Sequence, residues 1–359
     1  MSLEVIIGDV NMEKARKVAE WAGKEKISIR KVDISSMESL IPAMQDADAV
    51  ANAAPYHLNL TVTKASIKAK KNLTDLGGVY YMTLKQLELD SEAKNAGVTV
   101  VLGCGLAPGV ADILAKYGAD KLDRVEEVHI WYGDRSFEPA KYKWSFRTVL
   151  EEYTKGPVIY ENREFKRLPP FSGKQIVAFP APVGERPCCY ALYSGLATLP
   201  HTIGKGVQKI DCSMSYMQED ELRIKVLNEL GLTSEKPIRV DGVEISPREF
   251  LLRCVPPPDV RVRDASSLIV EIKGEKNGFP TRIRYSLVQQ FHERYSVSAI
   301  AYLTGVPLSI VSQMLAKDEI RERGVLPPET AVPHETFFKE LAKREIKISE
   351  TIEKTSKLI

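Results

Sequence analysis

Five short runs rich in β-branched residues, at 5–7, 27–32, 47–53, 72–76 and 98–102, alternate with four stretches of helical spacing, at 12–20, 37–44, 61–69 and 84–95. Parallel strands need a crossover of about a dozen residues between them, and these helices supply that length. The alternation therefore predicts βαβ units and a parallel sheet covered by helices on both faces. Asn11, and Ser35 or Ser36, stand where helix N-caps are required.

The texture changes after about residue 125. A strand at 125–131 is followed by a Pro-rich stretch at 157–187 and by β-rich segments at 206–216, 268–273 and 282–288. Gly274, Asn277 and Gly278 give the last two segments hairpin-turn chemistry. Helical spacing returns at 296–304 and 309–317. The expected class is α/β: a Rossmann-type parallel sheet lacking its first strand, plus a mixed α+β, mainly antiparallel second domain. The units expected are 1–125, 126–291 and 292–359, and 359 residues suit two or three domains.

Asp9 ends the first run, where an acidic residue can hydrogen-bond the adenosine ribose of a dinucleotide. It could equally be a surface turn residue. Asp33 and Ile34 end the second run, a usual place for adenine contacts. Asn52, Ala53, Ala54 and Pro55 end the third, and their small side chains let backbone approach the nicotinamide half. A ribose-binding acid is expected about 20 residues after a G-x-G-x-x-G turn, yet eight residues precede Asp9 and Gly8 is the sole glycine among them. Gly103-Cys104-Gly105 lacks a third glycine at the required offset. The expectation is a sheet without its first strand and phosphate loop. A late start and a loss of cofactor binding both account for this, and the undamaged remainder favours the late start.

Lys+Arg 50 against Asp+Glu 48 leaves a formal charge of +2, so no basic excess calls for nucleic acid. The apolar runs are interrupted before the roughly 20 residues of a membrane span, and Met1-Ser2-Leu3-Glu4 has no signal-peptide character. Five cysteines form neither a disulfide framework nor a zinc pattern, so a reduced, cytoplasmic protein without a metal is expected.

Six motifs follow one another along the chain: Asp9-Val10-Asn11-Met12-Glu13-Lys14-Ala15, Asn52-Ala53-Ala54-Pro55-Tyr56, Thr74-Asp75-Leu76-Gly77-Gly78, Gly105-Leu106-Ala107-Pro108-Gly109, Ser194-Gly195-Leu196-Ala197-Thr198-Leu199-Pro200 and Arg323-Gly324-Val325-Leu326-Pro327-Pro328-Glu329. In order and spacing they resemble the saccharopine dehydrogenase family, most of all its short, two-domain lysine 6-dehydrogenase-like members. The resemblance implies an NAD-linked oxidoreductase acting on a C–N bond, first of all in the oxidative deamination of L-lysine at its side-chain amine. Saccharopine or carboxynorspermidine dehydrogenase chemistry is the alternative within the enzymes, and a non-catalytic scaffold or partner protein the alternative outside them. It also implies a homodimer, and C-terminal helices that pack back on the first domain.

A lysine amine titrates at about pH 10.4, so the reaction needs a base or a desolvated pocket. His57 and Tyr56 follow the Asn52–Pro55 turn and are the catalytic candidates together with Asp75, which ends the fourth run. His57 could also be an exposed capping histidine, Tyr56 a packing residue and Asp75 a turn cap. Gly77 and Pro108 are expected on the cofactor side, and Gly78, Ser194, Gly195 and Thr198 on the substrate side. Arg147 or Arg186 could pair a substrate carboxylate, and sequence does not choose between them. Cys104 reads as a core thiol, Asp112 as a first-turn dipole residue, and His129, His201, His292 and His334 as structural. Asp9 would repel a 2′-phosphate, which favours NAD over NADP.

Overall fold

A computed structural model describes residues 4–23, 25–138 and 142–355. The strands of the first domain are β1 (Val5–Asp9), β2 (Ile27–Lys31), β3 (Ala49–Asn52), β4 (Asn72–Asp75) and β5 (Thr99–Val101). Between them run α1 (Met12–Ala22), α2 (Met37–Met44), α3 (Asn59–Ala69) and the pair α4 (Tyr80–Leu87) and α5 (Asp90–Ala96). Asn11 caps α1 by accepting from the Lys14 N–H, and Ser36 caps α2 by accepting from Ser39. The helix expected at 84–95 starts earlier and is broken before Asp90. Asp90 opens α5 and accepts the Val325 N–H at 3.0 Å, so the break aims a carboxylate at a strand from the far end of the chain.

Every strand pair in this domain is parallel, yet the strands form two sheets. β1 pairs with β2 alone, while β3, β4 and β5 continue into a fourth strand, Gly324–Leu326. Among the described residues no ladder joins β1 to β3, and Val5 and Ile6 on β1 are exposed. Leu73, Val100 and Leu102 from the strands meet Val62, Ala65 and Ala93 from the helices and Val325 from the fourth strand in one apolar core.

α6 (Val110–Asp120) leads into β6 (Arg124–Ser136), a central strand of a nine-stranded mixed sheet. β6 pairs in parallel with Lys209–Ser215 and antiparallel with Asp264–Lys276. The latter forms a long hairpin with Phe279–Gln290, turning at Asn277 (φ 53°) and Gly278 (φ 78°). Two consecutive left-handed residues give the two-residue turn whose twist matches the strands, which is why Asn-Gly serves there. α7 (Phe146–Lys155) packs on this domain through Phe146, Val149, Leu150 and Tyr153.

The C-terminal stretch serves both sheets. One helix, Ala299–Ala316, replaces the two expected at 296–304 and 309–317, with Pro307 inside it. A proline there forfeits one backbone hydrogen bond, but the helix packs against β3, β4 and the strand Asp264–Lys276, and burial of Leu303, Ile310, Val311 and Met314 offsets that loss. Its length and mean hydropathy of 1.5 would suit a membrane span, and half of it is buried in the protein core. The stretch also holds two strands where helices were expected. Gly324–Leu326 completes the first domain's sheet, and Ser349–Lys354 pairs with Phe279–Gln290 at the edge of the second. The edge strand is exposed throughout and is pinned by charge, with Glu353 3.4 Å from Arg282 and Glu350 against Lys121.

Candidate active site

The C-terminal ends of β3, β4 and β5 meet in a set of turns locked by one carboxylate. Asp75 Oδ1 accepts the N–H groups of Gly77 (2.7 Å) and Gly103 (2.8 Å), and Oδ2 accepts Gln86 Nε2 (2.8 Å). Its side chain is wholly enclosed, and burial raises its pKa against the pull of those three donors. This corrects the expectation of a substrate partner: Asp75 ties the turn after β4 to the turn after β5 and has no surface toward a ligand. Gly77 has φ 75°, and a Cβ there would sit 2.7 Å from Pro108 Cγ, so the two turns interlock through a missing side chain. Gly78 is half-buried against the Tyr56 ring base.

Tyr56 and His57 open a 3-10 turn, Tyr56–Leu58, directly beyond β3. Opposite them stands one face of α7. Arg147, Glu151 and Lys155 are spaced four apart, so they share a helix face. Glu151 is buried and accepts the Tyr81 hydroxyl (2.5 Å), Lys155 Nζ (3.0 Å) and Arg248 (2.9 Å). Arg248, on the helix Pro247–Cys254, is fully enclosed and also pairs with Glu235 (2.5 Å) and Thr154 (3.0 Å). Burial raises the phenols of Tyr56 and Tyr81, and the Glu151 charge adds to both shifts.

Beside Lys155, whose side chain is 32% exposed and paired with Glu151 and Glu235, Arg147 is the second partly accessible cation of this cluster. Its guanidinium grips Glu249 with two bonds, 2.6 and 2.7 Å, and the side chains are 25% and 50% exposed. Partial burial first, then the Arg147 charge, hold the His57 pKa below its ordinary value, while Glu249 pulls the other way. The His57 ring stands edge-on to Tyr56, with centroids 5.9 Å apart. Of the two arginines left open by sequence, Arg147 is the one whose charge acts on His57. Arg186 lies on the strand Glu185–Tyr190 of the second sheet.

The segment from Tyr193 to Ile203 forms the adjoining wall. Ser194 Oγ is buried without a hydrogen-bond partner and lies near the place a Gly77 Cβ would take. Gly195 and Thr198 are buried, and the Thr198 hydroxyl donates to the Gly195 carbonyl at 3.3 Å. A Cβ on Gly195 would sit 2.1 Å from Asp112 Oδ1, so Gly195 admits a neighbouring carboxylate, and the expectation of a substrate contact there is corrected. Gly195→Ala is expected to destabilise the fold by about 1–3 kcal/mol, as overpacking does, read as a lower midpoint in urea at unchanged slope. Cys104 is buried, and burial pushes its thiol far up, which leaves it no nucleophile. His129 bridges Asp211 (2.9 Å) and Glu127 (3.0 Å) on the second sheet.

The residues present fit two ends of a dinucleotide. Asp9 is half-buried at the end of β1, with Oδ1 accepting the Asn11 N–H and Oδ2 left for a ribose hydroxyl. Asp33 is exposed at the end of β2 and accepts from Ser35, with Ile34 beside it, half-buried. Asn52 accepts the Ala54 N–H and shapes the turn in which Ala53 and Pro55 stay exposed. Pro108 is half-buried against Gly77, where it would back the nicotinamide end. Between β1 and β3 no described glycine turn presents N–H groups to the phosphates, so the fit covers the ends and not the middle.

Sequence reasoning missed Tyr81, Glu151, Arg248 and Glu249. Only Glu151 left a legible signal, its four-residue spacing from Arg147 and Lys155 along α7.

Two family models match the chain: the saccharopine dehydrogenase C-terminal domain over residues 105–346, and the saccharopine dehydrogenase NADP binding domain over residues 1–101. The carboxynorspermidine synthase of Vibrio cholerae is 24% identical over 92% of this chain and 83% of its own length. The carboxyaminopropylagmatine dehydrogenase of Synechocystis is 22% identical over 92% of this chain and 87% of its own. Saccharopine dehydrogenase (L-Glu forming) from Saccharomyces cerevisiae superposes with a TM-score of 0.74 at 18% identity, covering 97% of this chain and 94% of that one, and it shares the fold. With the interlocked strand-end turns and the second-domain sheet in view, the chain belongs to the saccharopine dehydrogenase family of oxidoreductases.

Proposed function

We propose that the protein transfers a hydride between a nicotinamide dinucleotide and a C–N bond of an amino-acid-derived amine that carries one carboxylate. The observation that carries this reading is the Arg147–Glu249 pair beside His57. A guanidinium held by two parallel bonds to a carboxylate is also how a substrate carboxylate would be gripped. Glu249 is half-exposed, so a substrate can take its place without stranding a charge in the interior. Arg248 is fully enclosed, with its terminal nitrogens on Glu151, Glu235 and Thr154 and its Nε buried without a partner, so a substrate carboxylate has no open approach to it. One exchangeable guanidinium suits a single carboxylate, and saccharopine, with three, would leave two unmatched.

The compounds named by the two long-spanning relatives, carboxynorspermidine and carboxyaminopropylagmatine, each carry one carboxyl group. That favours a carboxylated polyamine as the first substrate to assay. L-Lysine, the substrate the motifs suggest, has the same single carboxylate and distant amine and is the second. A bound nicotinamide would supply the hydride acceptor or donor. Asp9 and Asp33 would hold the adenosine end, and Asn52–Pro55 with Gly77 and Pro108 the nicotinamide end. Asp9 favours NAD over NADP, since a 2′-phosphate would meet its carboxylate. His57, neutral at neutral pH, receives the proton from the amine or from the attacking water.

The test follows nicotinamide absorbance with carboxynorspermidine, carboxyaminopropylagmatine, L-lysine and saccharopine, with each cofactor in turn. Arg147→Ala is expected to lower kcat/KM by about 30- to 100-fold, mainly through KM, for two lost charge-assisted bonds. The same variant should match wild type with an amine that lacks the carboxylate. No turnover with any of the four, together with no cofactor retention in equilibrium dialysis, would favour the scaffold reading instead.

A further inference from the structure

Nine of the large apolar side chains exposed among the described residues fall between 217 and 260, more than in any separate stretch of that length. Three of them, Leu222, Val226 and Leu230, recur every four residues along the helix Gln218–Glu229 and its C-cap. Four residues make slightly more than one turn, so the three line one face. Ile224, on the opposite face, is buried in the core of the second domain. Leu222 is 66% and Leu230 68% exposed, and a helix stripe this open marks a surface that another body covers.

The two flanks of the stripe differ. On one, Arg223 and Leu227 border an apolar groove of about 480 Å³, with Phe146 and Val149 of α7 and Leu251 among its other walls. Arg223 stands at its mouth, paired with Asp220 at 2.9 Å. On the other flank lie Lys225 and Glu229. Lys225 reaches back to Glu221 at 2.9 Å and keeps its side chain 60% exposed. Glu229 is exposed and has no ion-pair partner among the described residues. α7 borders both the groove and the candidate site, so the groove lies behind the helix that carries Arg147.

We propose that this stripe is the contact between two copies of the chain, paired antiparallel about a twofold axis at Val226. A twofold contact uses one patch twice, so the patch must complement itself. Antiparallel pairing sets Val226 against Val226 and Leu222 against the other copy's Leu230. The flank charges fix the direction. At about 1.5 Å per residue, Lys225 lies about 1.5 Å to one side of the axis and Glu229 about 4.5 Å to the other. Each Lys225 therefore comes within about 3 Å, along the helix, of the other copy's Glu229, and the pairing occurs twice. Parallel pairing would set Lys225 beside the other copy's Arg223 instead, like charge against like. Leu230 leans to the groove flank, so the other copy's Leu230 comes level with Arg223 at the groove mouth and adds apolar contact there. The motifs imply a homodimer without a surface for it, and this helix supplies the surface.

The experiment uses the full chain and reads its mass by sedimentation equilibrium from about 1 to 50 µM. Wild type should reach the mass of two chains. Val226→Glu sets two carboxylates face to face on the axis and should raise the dimer Kd at least about 100-fold. Val226 is 45% exposed, so the fold itself should melt as in wild type. Lys225→Glu should raise Kd about tenfold, and adding Glu229→Lys should return it to within about twofold of wild type. In a Cys254→Ser background, diamide should cross-link Val226→Cys chains to one another, because the axis brings the two side chains into disulfide range. Leu222→Cys chains, held about 12 Å apart along the helix, should cross-link at least about tenfold more slowly. A wild type that keeps the mass of one chain at about 50 µM overturns the proposal and leaves the stripe to a partner of another sequence. It is overturned equally by a dimer that Val226→Glu does not weaken, by a double charge variant no tighter than Lys225→Glu, or by Leu222→Cys chains that cross-link as fast as Val226→Cys.

Discussion

His57→Ala is expected to lower turnover by about 10²–10⁴-fold, the range a positioned general base contributes, with cofactor affinity nearly unchanged. The expectation follows from where the ring lies. It stands beside Tyr56 at the end of β3, within the field of Arg147, which together with partial burial depresses its pKa. A depressed value keeps the imidazole neutral, and able to take a proton, further into acid than an ordinary histidine. The acidic limb of the wild-type kcat/KM profile should therefore fall below about pH 6.5, the ordinary histidine value. It should move up toward that value in Arg147→Ala, where the repelling cation is gone, and vanish in His57→Ala. A His57→Ala variant with wild-type kcat would remove His57 from the chemistry and leave the carboxylate-binding role of Arg147 standing.

The second large effect concerns stability. Asp75→Ala should cost about 3–5 kcal/mol, because two buried backbone N–H groups and the Gln86 amide lose their acceptor together. Asp75→Asn keeps an oxygen for the backbone donors and should cost about 1–2 kcal/mol. Urea unfolding of both variants gives the answer. If instead both unfolded like wild type and bound an amine substrate weakly, Asp75 would be a ligand to substrate and not the lock of two turns.

The difference between these two residues marks what the sequence carried. Both follow a strand end, where open parallel sheets place ligands. His57 stayed at the surface, and Asp75 was drawn inward when β4 and β5 paired and brought Gly103 beside it. No local pattern encodes that pairing. The five strands of the first domain were legible because β-branched runs separated by amphipathic stretches leave little else to form. The strand Ser349–Lys354 was not, since its Ser-Glu-Thr-Ile-Glu-Lys string has no alternating apolar face and is held by partners on one side only. Arg147 was visible as a candidate, but only the fold brings α7, and with it the Arg147 charge, to His57. Glu151, Arg248 and Glu249 acquire meaning together, from helices about a hundred residues apart in the chain.

The placement of Gly324–Leu326 and Ser349–Lys354 bears on how the molecule comes into being. Gly324 pairs with Thr99, and Lys354 with Thr281, so each sheet receives an outer strand from a segment far along the sequence. Closing a loop as long as that between Thr99 and Gly324 carries a large entropic cost before any contact compensates it. The nascent chain must therefore wait, with β5 bare along one side, until residues 324–326 have left the ribosome. During that interval an unpaired, β-branched edge is open to pairing with other nascent chains. Expression at low temperature with slowed initiation should raise the soluble yield more than any change to the mature surface.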